Sequence, residues 1–505
     1  MKKLLALLTA LLLVPIAAPA LDGPVYEIFV ASFQDSDGDS RGDLSGILEK
    51  LDYIQALHPK GIWLMPIHPS PSYHKYDVVD YYGVDPSYGT LEDVENLAAA
   101  LNQRGIALIL DLVINHTSSE HPWFLSARRS LPIEPCGQDV CPHPNLCRAH
   151  NPYVGYYLFT QGSGKHPVPG AEGWYYYSNF GYHMPDLNLD NPKVLEEITA
   201  ISHFWLDKGV KGFRLDAVIH FHEQNGEKNA AFLSWFNQMV KSHTQDAYIV
   251  AEAWADRGTI DNLYRSGIDS LFDFPLSGAD GELVKALRAK DGAGLARRIA
   301  QRNQDLKDKF PAAQNAPFLG NHDTGRIAGV LRRDLSSLKL AAALYLLQPG
   351  VPFVYYGEEV GMTGSGRDEN KRLPMLWQGD GKHLTLPPAE ADQPQRQTLG
   401  VLEQAEDPAS LLVYYRALLA ARAQCPEMAR GRVETLDTGH AAVAAYTVSD
   451  EKGSCAILHN LGDETISLDI SWPGALLFAG GNQQGTPVLQ GETLLLPSGT
   501  SCIFR

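Results

Sequence analysis

The chain is short of positive charge. Its 42 lysines and arginines face 59 aspartates and glutamates, for a formal net charge of −17 at pH 7. That balance argues against a nucleic-acid or anionic-membrane partner and suits a neutral or cationic ligand, or metal cations. Long apolar runs are missing beyond the first twenty residues, so no later segment is expected to cross a membrane. No Gly-rich phosphate loop follows the first predicted strand, which counts against a dinucleotide-binding open sheet. Cysteine is scarce, with six in 505 residues. None follows Ala18-Pro19-Ala20, so a lipoprotein anchor is not indicated.

At the N-terminus, Lys2 and Lys3 precede an apolar run from Leu4 to Ala18, and Ala18-Pro19-Ala20 has the small-x-small form of a cleavage site. Residues 1–20 therefore read as a secretory signal peptide, with the mature protein periplasmic or extracellular. Six cysteines fit an oxidising compartment. Cys136, Cys141 and Cys147 crowd one loop, while Cys425, Cys455 and Cys502 lie near the C-terminus. Export favours disulfides. A zinc site from the first three, with His143 or His150 as fourth ligand, is the competing reading.

Most of the chain alternates between short apolar strands and helical patterns. The predicted strands are Val25 to Phe33, Gly61 to Pro66, Ile106 to Asp111, Val210 to Ala217, Ala247 to Glu252, Ile268 to Phe274, Ala316 to Gly320 and Pro352 to Tyr356. The first helix is predicted over Leu44 to Leu57, with Leu48, Leu51 and Ile54 on one face. Eight strand–helix units in series predict a TIM (β/α)8 barrel over residues 21–116 and 182–424, with its chemistry at the C-terminal ends of the strands. Residues 117–181 break the pattern and are too long for an ordinary loop, so they form an inserted domain after strand 3. From residue 425 to 505 short alternating strands predict an antiparallel β-sandwich.

Carboxylates recur at those strand ends. Asp111, Asp216 and Glu252 each close an apolar strand, and Asn321-His322-Asp323 follows the seventh. A charge there is expensive unless something uses it. Arg214 lies two residues before Asp216, so both point to one face and the guanidinium can orient the carboxylate. After the first strand, Asp35, Asp37, Asp39 and Asp43 alternate around a Gly turn, with Arg41 offering its carbonyl. That pattern is EF-hand-like, without the bidentate Glu, and can wrap one hard cation.

Asp111-Leu-Val-Ile-Asn115-His116, Gly212-Phe-Arg214-Leu-Asp216, Ala251-Glu252-Ala-Trp254 and Phe318-Leu-Gly-Asn-His322-Asp323 stand in this order along the chain. Together with Tyr76-Asp77, Gly357-Glu-Glu-Val-Gly-Met362 and Arg372-Leu-Pro-Met-Leu-Trp377, they resemble the α-amylase family of glycoside hydrolases. Met184-Pro185-Asp186-Leu187-Asn188 looks intermediate between the oligo-1,6-glucosidase-like and neopullulanase-like branches. The resemblance implies that the insertion is domain B, the tail domain C, and the acidic loop a Ca²⁺ site. It also implies an α-glucan or maltooligosaccharide substrate.

Retaining glycosidases place two carboxyl groups about 5–5.5 Å apart. By the resemblance, Asp216 is the nucleophile, Glu252 the acid and then base, and Asp323 the transition-state stabiliser. His116 and His322 are expected to donate to the sugar, Tyr76 to stack on it, and Asp77 to bind a terminal hydroxyl. Asp111 either joins them or positions Arg214, and Asn115 is a candidate ligand for a second cation. Ala217 resembles the α-1,4-acting enzymes, whereas Ile219-His220 stands where many endo-acting amylases have Lys-His. Endo-hydrolysis of α-1,4-glucan is the leading expectation. An exo-acting α-glucosidase, a maltogenic or cyclodextrin-degrading enzyme, or a transglycosylating relative is the alternative. A non-catalytic carbohydrate-binding relative would be expected to lose these carboxylates.

Overall fold

A computed structural model describes residues 21–379, 384–393, 399–469, 474–481 and 485–505. The predicted signal peptide, residues 1–20, lies outside them. No helix among the described residues is long and apolar enough to cross a membrane.

Eight parallel strands form the centre: β1 (Val25–Ile28), β2 (Gly61–Leu64), β3 (Ala107–Leu112), β4 (Gly212–Leu215), β5 (Tyr248–Ala251), β6 (Ser270–Phe272), β7 (Gln314–Ala316) and β8 (Phe353–Tyr355). Each pairs with its sequence neighbour in the barrel, and β8 returns to β1. Between β7 and β8 the seam is thinner, because Pro317 and Pro352 carry no N–H to give. It is held by the bridge Phe318↔Phe353 and by N–H bonds from Val351 to Asn315 O and Phe353 to Pro317 O, both 2.9 Å. The predicted barrel is therefore observed.

Several boundaries differ from the sequence reading. Strand 1 stops at Ile28, and Val30–Ser32 turn as a 3-10 helix. Strand 3 continues to Leu112, so Asp111 lies inside the strand rather than at its end. Strand 7 ends at Ala316, where the prediction had it begin, because Pro317 has no N–H to extend the ladder. The first helix is two short ones, Leu44–Glu49 and Leu51–Gln55, broken at Lys50. Its buried face is Leu44, Ile47, Leu51 and Ile54, and Leu48 is exposed.

Strand alternation sorts the side chains into two layers. Inward go Val25, Trp63, Ile109, Tyr248, Val250, Phe272 and Phe353, which fill the barrel. Outward go Ile28, Ile62, Leu64, Leu108, Leu110, Phe213, Ile249 and Leu271, which pack against surrounding helices such as Leu91–Gln103, Pro192–Asp207 and Gly226–His243. Glu27, Asp111, Arg214, Asp216 and Glu252 share the parity of the inward set.

The excursion after β3 carries the helix Pro122–Ser130 and a three-stranded antiparallel sheet of Phe159–Gln161, His166–Pro167 and Trp174–Tyr176. Its two ends pair with each other through the antiparallel bridge His116↔Asp186 and the bonds Thr117 N to Pro185 O (3.2 Å) and Leu187 N to Asn115 O (2.9 Å).

The tail is a two-sheet antiparallel sandwich, as predicted. The larger sheet contains Val443–Asp450, Gly453–Asn460 and Ser501–Phe504. The smaller is built around Thr493–Leu496, and Val443, Leu458, Leu468, Leu494 and Leu496 pack between them. It is tied to the barrel by Tyr446, whose hydroxyl donates to Leu347 O at 3.1 Å. Gly350 N adds a bond to Met428 O at 2.8 Å, and Asn303 Nδ2 adds one to Gly431 O at 3.1 Å.

All six cysteines are free thiols, so the expected disulfides are not formed. Cys136, Cys141 and Cys147 gather with His150, and Cys425 and Cys455 lie together beside Glu427. Cys502 faces the sandwich interior, on a different cluster from Cys455.

Candidate active site

The inward carboxylates converge on one cation. Arg214 is fully buried and lies over the Trp63 ring at 5.0 Å. Its Nη1 donates to Asp111 at 2.9 Å and to Asp216 Oδ1 at 2.8 Å, and its Nη2 donates to Glu252 Oε2. Register explains the convergence. Asp111 and Arg214 are direct neighbours across β3 and β4, and Leu215 pairs with Ala251, which sets Asp216 and Glu252 side by side one residue later. Gly212 permits this approach, because a Cβ there would lie 2.1 Å from the Tyr248 carbonyl oxygen. Asp216 and Glu252 are thus on opposite nitrogens of one guanidinium, and both are nine-tenths or more buried.

The backbone bends sharply just past the nucleophile candidate. Ala217 has φ +49°, in the left-handed region. Val218 N then donates to Glu252 O at 3.0 Å, which joins the two strand ends. A strained residue persists only where its surroundings hold it, and here it sits beside the two carboxylates.

Asp323 approaches from the loop after β7. Its Oδ2 accepts from His322 Nε2 at 2.9 Å and its Oδ1 from Arg372 Nη2 at 3.1 Å. Burial works to raise its pKa, but the charge and hydrogen bond of His322, with Arg372 and Arg214, hold it well below the usual carboxylate range. His322 is fully buried, and its Nδ1 donates to Glu27 Oε1 at 2.5 Å. Burial alone would lower its pKa, yet Asp323 and Glu27 push it up to about 9, so it is an imidazolium at neutral pH. Tyr76 closes the ring. Its oxygen accepts from His322 Nε2 at 2.7 Å and from Arg214 Nη1 at 3.3 Å, while its O–H donates to Asp111 Oδ2 at 3.0 Å.

The structure therefore brings Asp216, Glu252, Asp323, Arg214, His322 and Tyr76 into one network. Asp111 serves as the anchor of Arg214, and burial, opposed by Arg214, raises its pKa to about 6. His116 is placed differently from expectation. Its Nε2 donates to Tyr76 O at 3.1 Å and its Nδ1 meets Asn115 Nδ2 at 3.3 Å, so it positions Tyr76 rather than presenting a free donor. Asp77 is buried and accepts from Ser70 Oγ at 2.7 Å and from Ser72 Oγ. Tyr76 is stacked on His322 at 5.6 Å and 17°.

Asn115, the candidate for a second cation, donates to Asp186 Oδ1 at 3.4 Å, and burial raises Asp186 to about 7. In the acidic loop, carboxylate oxygens of Asp35, Asp37 and Asp39 lie within 4.8 Å of one another. Asp43 stands outside that group. It accepts from Ser36 N (2.9 Å) and Ser36 Oγ (2.8 Å) and caps the helix Leu44–Glu49 through Gly46 N (2.7 Å). Arg41 contributes a backbone N–H to Asp39 Oδ1 at 2.7 Å.

Sequence reasoning missed Glu27, and it quoted Arg372 only as part of a motif. A lone Glu in Val-Tyr-Glu-Ile, at the inward parity of β1, was the available signal. The rim also carries Trp254, 55% exposed and stacked on Phe274 at 5.0 Å, and Phe180, 42% exposed and set against His116 and His220. Glu358 and Glu359, by contrast, are held by tyrosine hydroxyls (Tyr345 and Tyr415; Tyr26 and Tyr53) and serve packing.

Residues 27–431 match the family described as Alpha amylase, catalytic domain. The chain belongs to the alpha-amylase family. It is 38% identical over 444 residues to Alpha-amylase 3 of Dictyoglomus thermophilum, covering 86% of this chain and 84% of that one. It is 28% identical over 536 residues to an oligo-1,6-glucosidase of Heyndrickxia coagulans, covering 88% and 92%. Its fold superposes on Eubacterium rectale Amy13B with a TM-score of 0.90 at 37% identity, covering 96% of each chain. With this membership and an intact carboxylate set, the protein is a glycoside hydrolase of the alpha-amylase family.

Proposed function

We propose that the protein is an exported, retaining α-amylase that cleaves internal α-1,4-glucosidic bonds of starch and maltooligosaccharides. The observation that carries this reading is the sharing of Arg214 by Asp216 and Glu252. Two carboxyl groups on one planar cation stand no further apart than that cation and its two bonds allow. That suits the about 5–5.5 Å spacing of a retaining pair.

In the first step a carboxylate oxygen of Asp216 attacks the anomeric carbon. Glu252 gives its proton to the glycosidic oxygen, and the leaving sugar departs as a neutral alcohol. Oε2 of Glu252 faces Arg214, so Oε1 is the atom free to carry that proton. In the second step Glu252 takes a proton from water, the hydroxide adds to the anomeric carbon, and Asp216 is released. Asp323, kept anionic by His322 and Arg372, stabilises the positive charge that develops on the ring. Trp254 and Phe180 offer exposed faces for neighbouring glucosyl units.

The acidic loop fits a structural calcium ion. Three converging carboxylates repel one another, and a hard cation held by Asp35, Asp37 and Asp39 relieves that repulsion. Its contribution there is to order the loop, not to join the chemistry.

The deciding experiment is a product profile on starch, maltotriose, isomaltose, pullulan and cyclodextrin. Endo-action on α-1,4 bonds gives mixed maltooligosaccharides from starch and no cleavage of isomaltose. Glucose as sole early product, or preferential isomaltose cleavage, would transfer the assignment to an exo-acting α-glucosidase. Glu252→Gln should cost at least about 100-fold in kcat with the melting temperature unchanged.

A further inference from the structure

The loop between the helix Pro122–Ser130 and the turn at Asn151 has little core of its own. Leu131 and Cys147 are buried, but Ile133, Val140 and Leu146 are 40%, 84% and 48% exposed. A segment of this length with so little apolar burial and no regular secondary structure gains little to offset the entropy of ordering it. Yet four side chains within it meet at one point. The sulfurs of Cys136, Cys141 and Cys147 and a ring nitrogen of His150 all lie within 4.8 Å of one another. His150 Nδ1 is 3.6 Å from Cys136 Sγ and 3.2 Å from Cys147 Sγ.

From this geometry we infer that the domain B loop binds one structural Zn²⁺ through Cys136, Cys141, Cys147 and His150. Tetrahedral zinc, with Zn–S of about 2.3 Å and Zn–N of about 2.0–2.1 Å, sets its sulfur and nitrogen donors about 3.6 Å apart. The Cys136 spacing equals that value, and the Cys147 spacing is a little shorter. Four protein ligands leave no open position, which is the pattern of a structural and not a catalytic site. A disulfide would use two of the three sulfurs and leave a thiol and an imidazole pointed at the bond.

The local backbone is built for the same end. Cys147 and His150 stand on one turn, since His150 N and Asn151 N both bond to Cys147 O, at 3.0 and 2.9 Å. Side chains three apart on such a turn share a face. His143, the other candidate fourth ligand, is exposed, and its backbone carbonyl accepts from Leu146 N and Cys147 N, both at 3.1 Å. The far side is fixed by Asn151 Nδ2, which donates to Ser130 Oγ at 2.8 Å, and by Arg148 Nη1, which donates to Leu131 O at 2.9 Å. Zinc would thus close the loop onto its helix where apolar packing is missing. The second cysteine group makes no such site. Glu427 is already paired with Arg505 at 3.1 Å, and with Cys425 and Cys455 it forms a group of only three.

The test is a metal count on the full chain, expressed with zinc in the medium and purified without chelator. About one zinc per chain is expected by plasma mass spectrometry, released when a mercurial blocks the thiols. Exchange with Co²⁺ should give thiolate-to-cobalt charge-transfer and tetrahedral ligand-field bands in the wild-type chain, a readout that needs no variant. Cys147→Ser and His150→Ala should lose the zinc and melt at a lower temperature that Ca²⁺ does not restore, while His143→Ala keeps both. A zinc-free wild-type chain with two of these thiols in a disulfide would overturn the inference. So would zinc retained by the Cys147→Ser/His150→Ala double variant. Neither outcome touches the catalytic assignment, because activity is not the readout.

Discussion

Arg214 carries its charge inside a barrel whose other inward residues are mostly aromatic and aliphatic. It persists because Asp111, Asp216 and Glu252 all accept from it. The pair with Asp216 was legible from residue spacing, since i and i+2 on a strand share a face. The partners of His322 were not legible, because Glu27 lies 295 positions away. Yet Glu27 and Asp323 decide the histidine's charge. A histidine with a folded pKa of about 9 against an ordinary 6.5 contributes stability that is fully present below about pH 6.5 and lost as pH rises through about 9. Glu27→Gln removes one of the two groups that raise it. The alkaline limbs of melting temperature and of kcat should both move to lower pH, as read from melting curves and pH–rate profiles. Limbs that stay in place would show that Glu27 does not hold the imidazolium.

At the scale of single elements, the helical period placed the first helix and two of its three named face residues, Leu51 and Ile54. The third is Ile47 and not Leu48, because Leu44, Ile47, Leu51 and Ile54 keep one helical phase across the break at Lys50. Ile47 is fully buried and Leu48 is 39% exposed. Ile47→Ala should cost about 2–5 kcal/mol in urea unfolding, and Leu48→Ala within about 0.5 kcal/mol; equal costs would restore the original face. The acidic loop before this helix separates two jobs that the sequence pattern merged. Chelation should lower the melting temperature of the wild-type chain, and Ca²⁺ should restore it. Asp37→Ala should abolish that response. Asp43→Ala should instead lower stability by about 1 kcal/mol through the lost helix cap and keep a Ca²⁺ response. No response in the wild-type chain would remove the calcium site.

For the whole molecule, alternation of strands and helices was enough to foresee the barrel, because eight buried strands ending in polar residues have few other solutions. The inserted domain was visible only as a break in that rhythm. Its sheet rests on aromatic packing, such as Phe124 against Tyr157 and Tyr176, which has no sequence period to read. The tail was recognised as a sandwich, but its bond to the barrel was hidden. Tyr446, Gly350 and Asn303 stitch the two through backbone carbonyls, which any sequence possesses. Removing residues 425–505 should therefore yield an insoluble or unfolded chain, and no separate starch binding is expected of the tail. A soluble, active truncated chain, judged by sedimentation and starch hydrolysis, would show that the sandwich is dispensable.

The paired neck of domain B, where His116 meets Asp186 and Leu187 meets Asn115, has one more consequence. A segment whose two ends are zipped together can be lifted out and replaced with little demand on the rest of the barrel. Chimeras cut at that stem and fitted with a foreign insert should keep their hydrolytic machinery while changing which chain lengths they accept. The stem makes specificity a transplantable part.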